Sequence, residues 1–220
     1  MDEVVESVEI DFKPWSLALT STRELLITCQ DSSPVIRRLS EDRRVSSFAD
    51  ISPYKAWNIA VSENGEVLVG INKLAFQLVL IHCMSGDIIR HLSLEVGTGC
   101  RIACLAENSM AFTTGSHFIC RSLLFVNKSN QVTNVWNGEL ENGQKLSEAS
   151  NASISRDKHG RIFVPDYCTN QIYVLTGRDK IAKPLLDNSH EVTHPISVCA
   201  SECGHIWIGC IDGTIHVIQI

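Results

Sequence analysis

The sequence has no apolar run close to the roughly 18 residues that a membrane-spanning helix requires. Its start, residues 1–10, is acidic and lacks the basic and then apolar order of a secretory signal. No helical periodicity extends far enough to compete with the strand patterns. These absences predict a cytoplasmic, all-β protein, and 220 residues with 44% hydrophobic content are enough to bury a substantial core.

Motifs of catalysis are missing as well. There is no G-x-S-x-G nucleophile elbow, and Gly97-Thr98-Gly99 is too short and isolated to cradle a phosphate. We therefore expect no catalytic residue, no cofactor and no enzymatic activity in this chain.

The nine cysteines include no C-x-x-C pair, which is the usual framework of structural zinc. A metal site built from Cys199, Cys203 and His205, with Cys100 and Cys104 in support, is the alternative that this absence disfavours. Small apolar thiols pack well in strands, so we expect reduced, buried cysteines. The six that lie in or beside strand patterns are Cys29, Cys83, Cys104, Cys120, Cys199 and Cys210.

What the sequence does contain is an apolar strand that recurs every 40 to 50 residues or so, the period of propellers and solenoids. A strand pattern precedes each copy, and one or two follow it, with turn residues such as Asn64-Gly65 and Asp212-Gly213 between them. Four short strands per repeat predict a β-propeller of four-stranded antiparallel blades. The five copies begin at Glu24, Glu66, Met110, Arg161 and His205.

We expect one propeller domain over residues 1–220. The fifth repeat ends after its third strand, so another strand has to complete it, because propellers close by pairing one terminus with the other. Residues 1–12 contain the candidate, Val4–Phe12, and the ring would then have five blades; a partial copy of a six-bladed ring is the open alternative. The repeats are predicted at about 13–52, 53–99, 100–146, 147–192 and 193–220.

The fourth repeat resembles an NHL repeat. Gly160 stands in the turn, Asp166 matches the motif's aspartate, and Asn170 lies one residue late for its asparagine. The resemblance implies that the aspartate and asparagine tie down the loop between the second and third strands by side-chain to backbone hydrogen bonds. The first three repeats lack this signature.

The stretch from His194 to Ile220 is similar to the last blade of the NHL-type propellers in invertebrate tripartite-motif proteins. This resemblance implies a non-catalytic protein-interaction module of the ubiquitin pathway. It would be like the propeller with which tripartite-motif ubiquitin ligases recognise their substrates. The sequence carries no RING finger, B-box or coiled coil. It could be a complete short protein or a fragment of a longer ligase, and its partner would be a protein or a ubiquitination substrate.

Two other functions remain open. Some NHL propellers bind single-stranded RNA, but 19 basic against 25 acidic residues disfavour it, and the one dense basic group, Arg37-Arg38 with Arg43-Arg44, is expected at a blade edge. Strand alternation would place Arg37 and Arg38 on opposite faces. A calcium-dependent lactonase-like hydrolase would need converging carboxylates. Four acidic residues recur in the turns after the first strands, where we expect them to form turns: Glu63, Glu107, Asp157 and Glu202.

The expected contact surface is formed by the loops between second and third strands and between successive blades. Trp57 and Arg101 are the strongest candidates, because both residue types are enriched in binding hot spots; packing of Trp57 between blades is the alternative. The other candidates are Asp31, Lys55, Asn72, Lys73, His117, Asp166, Asn170, His194 and Asp212.

Overall fold

The structure is a computed structural model. The structure describes residues 10–31, 33–71, 77–82, 85–93, 101–105, 109–116, 119–127, 129, 131–146, 149–150, 153–176, 182–186, 192–201 and 204–220. Residues 4–9 of the predicted ring-closing strand lie outside these ranges. Contacts divide the chain into two compact units, Met1–Asn72 with Gln77–Leu92 and Lys73–Phe76 with Ser93–Ile220.

The first unit contains two four-stranded antiparallel sheets, in which each strand pairs with the next along the chain. The strands of blade 1 are β1 Pro14–Leu19, β2 Leu25–Cys29, β3 Val35–Leu39 and β4 Val45–Asp50. The strands of blade 2 are β5 Ala56–Val61, β6 Glu66–Ile71, β7 Gln77–His82 and β8 Ile88–Ser93.

The second unit contains three sheets of the same meander. Blade 3 consists of β9 Ile102–Cys104, β10 Met110–Ser116, β11 Ile119–Val126 and β12 Val132–Trp136, with the short β13 Ala149–Ser150 also paired to β11. Blade 4 consists of β14 Ser155–Arg156, β15 Ile162–Asp166, β16 Gln171–Leu175 and β17 Ala182–Leu186. Blade 5 has three strands, as predicted: β18 Pro195–Ala200, β19 His205–Cys210 and β20 Ile215–Gln219.

These elements confirm the all-β class, and the part of the chain that the structure describes contains no α-helix. Accordingly, no helix long and apolar enough to span a membrane is found among those residues.

One backbone hydrogen bond sets the same register in all five blades. It closes the turn between the first and second strands, where an N–H group donates to the carbonyl oxygen four residues later. Counting from the acceptor, the third repeat begins at Ser109, one residue earlier than the apolar pattern indicates. The donor and acceptor pairs are Thr20 and Glu24, Ser62 and Glu66, Leu105 and Ser109, Asp157 and Arg161, and Ser201 and His205.

This register decides which side chains face the neighbouring blade. In β15, Ile162 and Val164 pack into a cluster with blade 3, whereas Phe163 between them packs with Ile206 and Ile208 of blade 5. Alternation along a strand sends successive side chains to opposite faces, so each blade is apolar on both. The core of each unit therefore lies between its blades.

Side chains also join blades by hydrogen bonds between their first strands. The Ile59 N–H donates to the Ser16 hydroxyl (3.3 Å) in the first unit, and the Ala200 N–H donates to the Ser155 hydroxyl (3.0 Å) in the second. These bonds satisfy strand N–H groups that have no ladder partner on that side.

A hairpin after β12 adds a bridge to the outer strand of blade 4. Leu140 forms a parallel bridge with Ala182 of β17, and the Glu141 N–H donates to the Ala182 carbonyl oxygen (3.0 Å). The Lys183 ammonium lies 2.8 Å from the Glu141 carboxylate. Blade 3 thus covers part of the edge of blade 4.

Gly86, in the turn between β7 and β8, has a φ of +71°, and an added Cβ would overlap the carbonyl oxygen of Phe48 in blade 1. We expect Gly86→Ala to lower the free energy of unfolding by about 1 to 2 kcal/mol more than Gly160→Ala. Gly160 also has a positive φ, +78°, but the space around its Cβ position is open. Gly160→Ala therefore measures only the cost of placing alanine in this backbone conformation. Equal losses of the two variants in urea unfolding would contradict a packed contact at Gly86.

Candidate binding surface

Two tryptophans lie side by side at the ends of the first strands of blades 1 and 2. Trp15 and Trp57 each occupy a β-bulge, between Pro14 and Ser16 in β1 and between Ala56 and Asn58 in β5. Bulges re-aim side chains relative to the ladder. Ile196 holds the same position in β18 of blade 5.

The two rings contact each other at a centroid distance of 4.9 Å and an interplanar angle of 53°. Both residues are half-buried. The backbone beneath them is fixed, because the Thr28 hydroxyl donates to the Trp57 carbonyl oxygen (2.8 Å) and the Ser16 N–H donates to Thr28 Oγ1 (3.2 Å). The pair is therefore held in place from below.

The indole nitrogen of Trp57 is buried and has no hydrogen-bond partner in the structure as described. A buried tryptophan N–H normally finds an acceptor, and leaving it unpaired costs about 1 to 3 kcal/mol. An acceptor placed next to this nitrogen would remove a cost that the free protein carries.

Charged groups lie around Cys29, which pairs with Pro14 next to Trp15. The Arg37 guanidinium lies over the Phe12 ring, 5.8 Å from its centroid. Burial raises the pKa of the Cys29 thiol, and the Asp31 carboxylate raises it further, against the lowering effect of Arg37. Cys29 is therefore a neutral core thiol and not an activated nucleophile.

In the second unit, the predicted binding residues of blades 4 and 5 form structural hydrogen bonds. Fully buried Asp166 accepts the N–H of Cys168 (3.0 Å), and Asn170, with a φ of 57°, accepts the N–H of His194 (2.8 Å). The ring of His194 packs on Tyr167 at a centroid distance of 4.6 Å. The expected hydrogen bond from the loop backbone to the side chain is confirmed for Asp166. Asn170 instead accepts from His194, in the connection to the next blade.

The remaining candidates are spread over the two units. Exposed Lys55 precedes Trp57 by two residues, and exposed Asp31 accepts the N–H of Ser33 (3.1 Å). In the second unit, the Arg101 N–H donates to the Thr113 hydroxyl (2.7 Å), and exposed Asp212 accepts the N–H of Thr214 (2.9 Å). Hydrogen bonds from Thr214 lower the pKa of Asp212. Asn72, Lys73 and His117 lie outside the described residues.

Sequence analysis missed Trp15. The signal was present, because Pro14-Trp15-Ser16 and Ala56-Trp57-Asn58 have the same place relative to the first strand of their repeats. Comparing the first strands of the repeats would have identified the pair.

Of the four turn carboxylates, Asp157 forms its turn as expected, and Glu63 is not equivalent to it. Asp157 begins its turn and accepts the N–H groups of His159 (3.0 Å) and Arg161 (2.9 Å), while Glu63 lies one position further into its own turn. Glu107 and Glu202 fall outside the described ranges. No group of three or more potential metal ligands occurs among the residues that the structure describes.

The cysteines divide by exposure. Cys29 and Cys210 are buried free thiols, as predicted, and Cys104 is half-buried. The prediction was wrong for Cys199, which is exposed on blade 5 because it lies opposite the half-exposed Trp207 on the same face of the sheet. Cys83, Cys100 and Cys203 lie outside the described residues.

A polar groove of about 840 Å³ lies at the opposite end of blades 1 and 2, between their turns. Its charged lining is Glu24, Arg38, Glu41, Asp42 and Glu66. Arg38 lies 3.6 Å from the Glu24 carboxylate, whereas Arg37 faces Phe12 on the other side of the sheet. The predicted opposite placement of the two arginines is confirmed.

No family model matches the sequence, and no curated protein is similar to it. Solved β-propellers are similar in structure. Streptogramin B lyase matches at 13% identity and a TM-score of 0.66, over 95% of this chain and 65% of that one. This chain thus spans just under two thirds of the lyase.

Two further structures match similarly well. The PQQ-bound aldose sugar dehydrogenase from Streptomyces coelicolor has 14% identity and a TM-score of 0.68, over 99% of this chain and 80% of that one. A chain of the nidogen/laminin complex has 13% identity and a TM-score of 0.67, over 94% of this chain and 75% of that one. At these identities the likeness confirms the β-propeller fold, and the matched propellers include enzymes and an interaction module.

Proposed function

We propose that this propeller is a non-catalytic protein-interaction module and that it binds an extended peptide segment at the Trp15–Trp57 pair. The observation that carries the proposal is the buried, unpartnered N–H of Trp57 beside two half-buried indole rings. Tryptophan dominates binding hot spots because it combines a large apolar face with one donor.

The chemistry of the pair describes its ligand. An apolar side chain of the peptide would cover the exposed parts of the rings, and a backbone carbonyl would accept the N–H of Trp57. Because the free protein already leaves this donor unpaired, the new hydrogen bond would not replace an existing one. The bulges and Thr28 hold the rings in advance, so little ordering entropy is lost on binding.

Charge supports a protein ligand over RNA. In the basic group of blade 1, Arg37 lies over Phe12, Arg38 pairs with Glu24, and Arg44 lies 3.2 Å from the Asp42 carboxylate. These cations are engaged within the blade, and the chain carries a net charge of −6. Phosphate binding needs free, clustered cations.

The resemblance to tripartite-motif propellers suggests a finer role. We propose that the bound segment belongs to a protein destined for ubiquitination and that this propeller selects it, while a RING-bearing protein or segment performs the transfer. One of the matched structures, the nidogen/laminin complex, is itself a protein assembly.

Selection of peptides from a random phage-displayed library tests the binding role. We expect selected peptides to bind Trp57→Ala at least about 10-fold more weakly than the wild type by calorimetry, as for a hot-spot residue. Trp57→Phe keeps a ring without the donor and should lose part of the affinity.

Ile196→Ala is the matched control, because Ile196 occupies the same bulge in blade 5 and is exposed. It should leave the affinity unchanged. Equal affinity of the wild type and Trp57→Ala would contradict this site. Retention of oligouridine RNA that falls steeply with added salt would favour the RNA alternative instead.

A further inference from the structure

A second cavity lies in the second unit, beside the hairpin that joins blade 3 to the edge of blade 4. Residues of this hairpin form one side of it, and residues of β16 and β17 form the other. Its volume is about 310 Å³. Small-molecule sites usually measure roughly 300 to 1,000 Å³, so this cavity has the size for a ligand with a single ring.

Backbone and side-chain hydrogen bonds hold the hairpin side of the cavity in place. The indole N–H of buried Trp136 donates to the Glu139 carbonyl oxygen (2.9 Å), and the Leu140 N–H donates to the Gln144 carbonyl oxygen (2.9 Å). The bridge between Leu140 and Ala182 fixes the hairpin to blade 4. A ligand would therefore lose little affinity to ordering of the site.

Two side-chain amides of the lining keep donors that are unused. Asn142 Oδ1 accepts the N–H of Gln144 (3.0 Å), which fixes the amide of Asn142, and its Nδ2 donates to Gln144 Oε1 (3.0 Å). On the blade 4 side, the Tyr173 hydroxyl donates to the amide oxygen of Gln171. No described residue accepts a hydrogen bond from the NH₂ group of Gln144 or Gln171, so both can donate to a ligand.

The charge of the cavity is balanced within the protein. Glu141 is the only charged residue among the described lining residues, and the Lys183 ammonium lies 2.8 Å from its carboxylate. A charged ligand would have to compete with this ion pair, whereas a neutral ligand would leave it intact. The lining therefore favours a neutral, hydrogen-bonding ligand.

The apolar part of the lining is aliphatic. Tyr173 is only 4% exposed and packs in the core cluster with Leu140, so its ring offers no open face on which a flat base could stack. Exposed Pro184 provides apolar surface at the rim. Such a surface suits the C–H groups of a saturated ring.

We propose that this cavity binds a neutral pyranose sugar. Each ring hydroxyl both donates and accepts, so a sugar accepts from the amides of Gln144 and Gln171 and donates to the Glu141 carboxylate and the free lone pair of the Tyr173 oxygen. The site lies in another unit from the Trp15–Trp57 pair. Sugar binding and the proposed peptide binding therefore succeed or fail separately.

Titration of the isotope-labelled full chain with methyl glycosides, followed by NMR, tests the site. The probes are the methyl glycosides of glucose, galactose, mannose and N-acetylglucosamine. We expect at least one to bind with a Kd of about 1 to 10 mM, the strength of a few neutral hydrogen bonds. The double variant Gln144→Ala with Gln171→Ala should bind it at least about 10-fold more weakly, because both donors are removed.

Gln131→Ala is the matched control, since Gln131 is an exposed amide between β11 and β12 and does not line the cavity. It should leave the Kd unchanged. Failure of every glycoside to bind at 50 mM, about five times the weakest expected Kd, would overturn the proposal. Equal binding by the wild type and the double variant would overturn it as well.

Uracil separates a sugar site from a site for a flat base. Tighter binding of uracil than of every glycoside would contradict the proposal. If circular dichroism shows that the double variant is unfolded, Gln144→Ala alone makes the test, because Gln144 is exposed on the hairpin. It should weaken binding at least about 3-fold through the loss of one hydrogen bond, and an unchanged Kd would overturn the proposal.

Discussion

Phe163→Ala is expected to lower the free energy of unfolding by about 3 to 5 kcal/mol. Phe163 is fully buried between blades 4 and 5, where it packs with Val198, Ile206 and Ile208. Truncation removes the ring from contact on all sides and leaves a cavity that two packed sheets cannot easily close. Urea unfolding followed by circular dichroism measures the loss.

Trp207→Ala is the matched control, since Trp207 occupies the position of Phe163 in the next blade but is 48% exposed. The variant should lose less than about 1.5 kcal/mol of folding stability. A loss equal to that of Phe163→Ala would mean that Trp207 is buried in solution within one chain.

Asp157→Ala should cause the second largest decrease in the free energy of unfolding, about 2 to 4 kcal/mol. The carboxylate is only 6% exposed, and it accepts two backbone N–H groups and the Arg161 guanidinium at 2.6 Å. Alanine leaves these donors without their acceptor. Thermal unfolding followed by circular dichroism gives the difference.

Asp157→Ser is the informative comparison. Three other blades place a hydroxyl at this position, and it accepts the N–H four residues later: Thr20 with Glu24, Ser62 with Glu66, and Ser201 with His205. Serine should therefore keep the turn hydrogen bond and lose only the ion pair, at about half the cost of alanine. If serine is as damaging as alanine, the ion pair and not the turn dominates.

The same carboxylate predicts an acid dependence. Burial raises the pKa of Asp157, but the hydrogen bonds and charge of Arg161 and the N–H of His159 outweigh this, so the pKa lies below its ordinary value. A depressed pKa stabilises the fold above about pH 4, the unfolded value, and this contribution disappears as the pH falls through the lower folded value. The stability of the wild type should thus fall more steeply below pH 4 than that of Asp157→Ser.

Most of the fold was predictable because its signals are local. Strands of five or six residues, separated by turns with glycine, showed the meander and the missing fourth strand of blade 5. The start of the third repeat was predicted at Met110 and lies at Ser109, and this one-residue error has a physical reason. The register is set by a backbone hydrogen bond in the turn. The other blades have a residue with a side-chain oxygen at the donor position, whereas blade 3 has Leu105. The sequence of blade 3 therefore does not indicate where this hydrogen bond forms.

The candidate site was harder to predict, because it depends on contacts between blades. Trp57 was identified by residue type, but its partner Trp15 lies a full repeat away and only the folded unit brings the rings together. Asp166 and Asn170 matched a motif, yet their side chains bond to backbone and leave little for a ligand. The exposure of Trp207 has no local signal, because it follows from what does not pack on blade 5.

The hairpin that bridges Leu140 to Ala182 has a consequence for how this protein would misassemble. It occupies backbone groups at the outer edge of blade 4, whereas no described strand pairs with the outer edge of β20. An open, apolar strand edge templates further strands. Under partly denaturing conditions, the edge of blade 4 should therefore be shielded from pairing with strands of other copies.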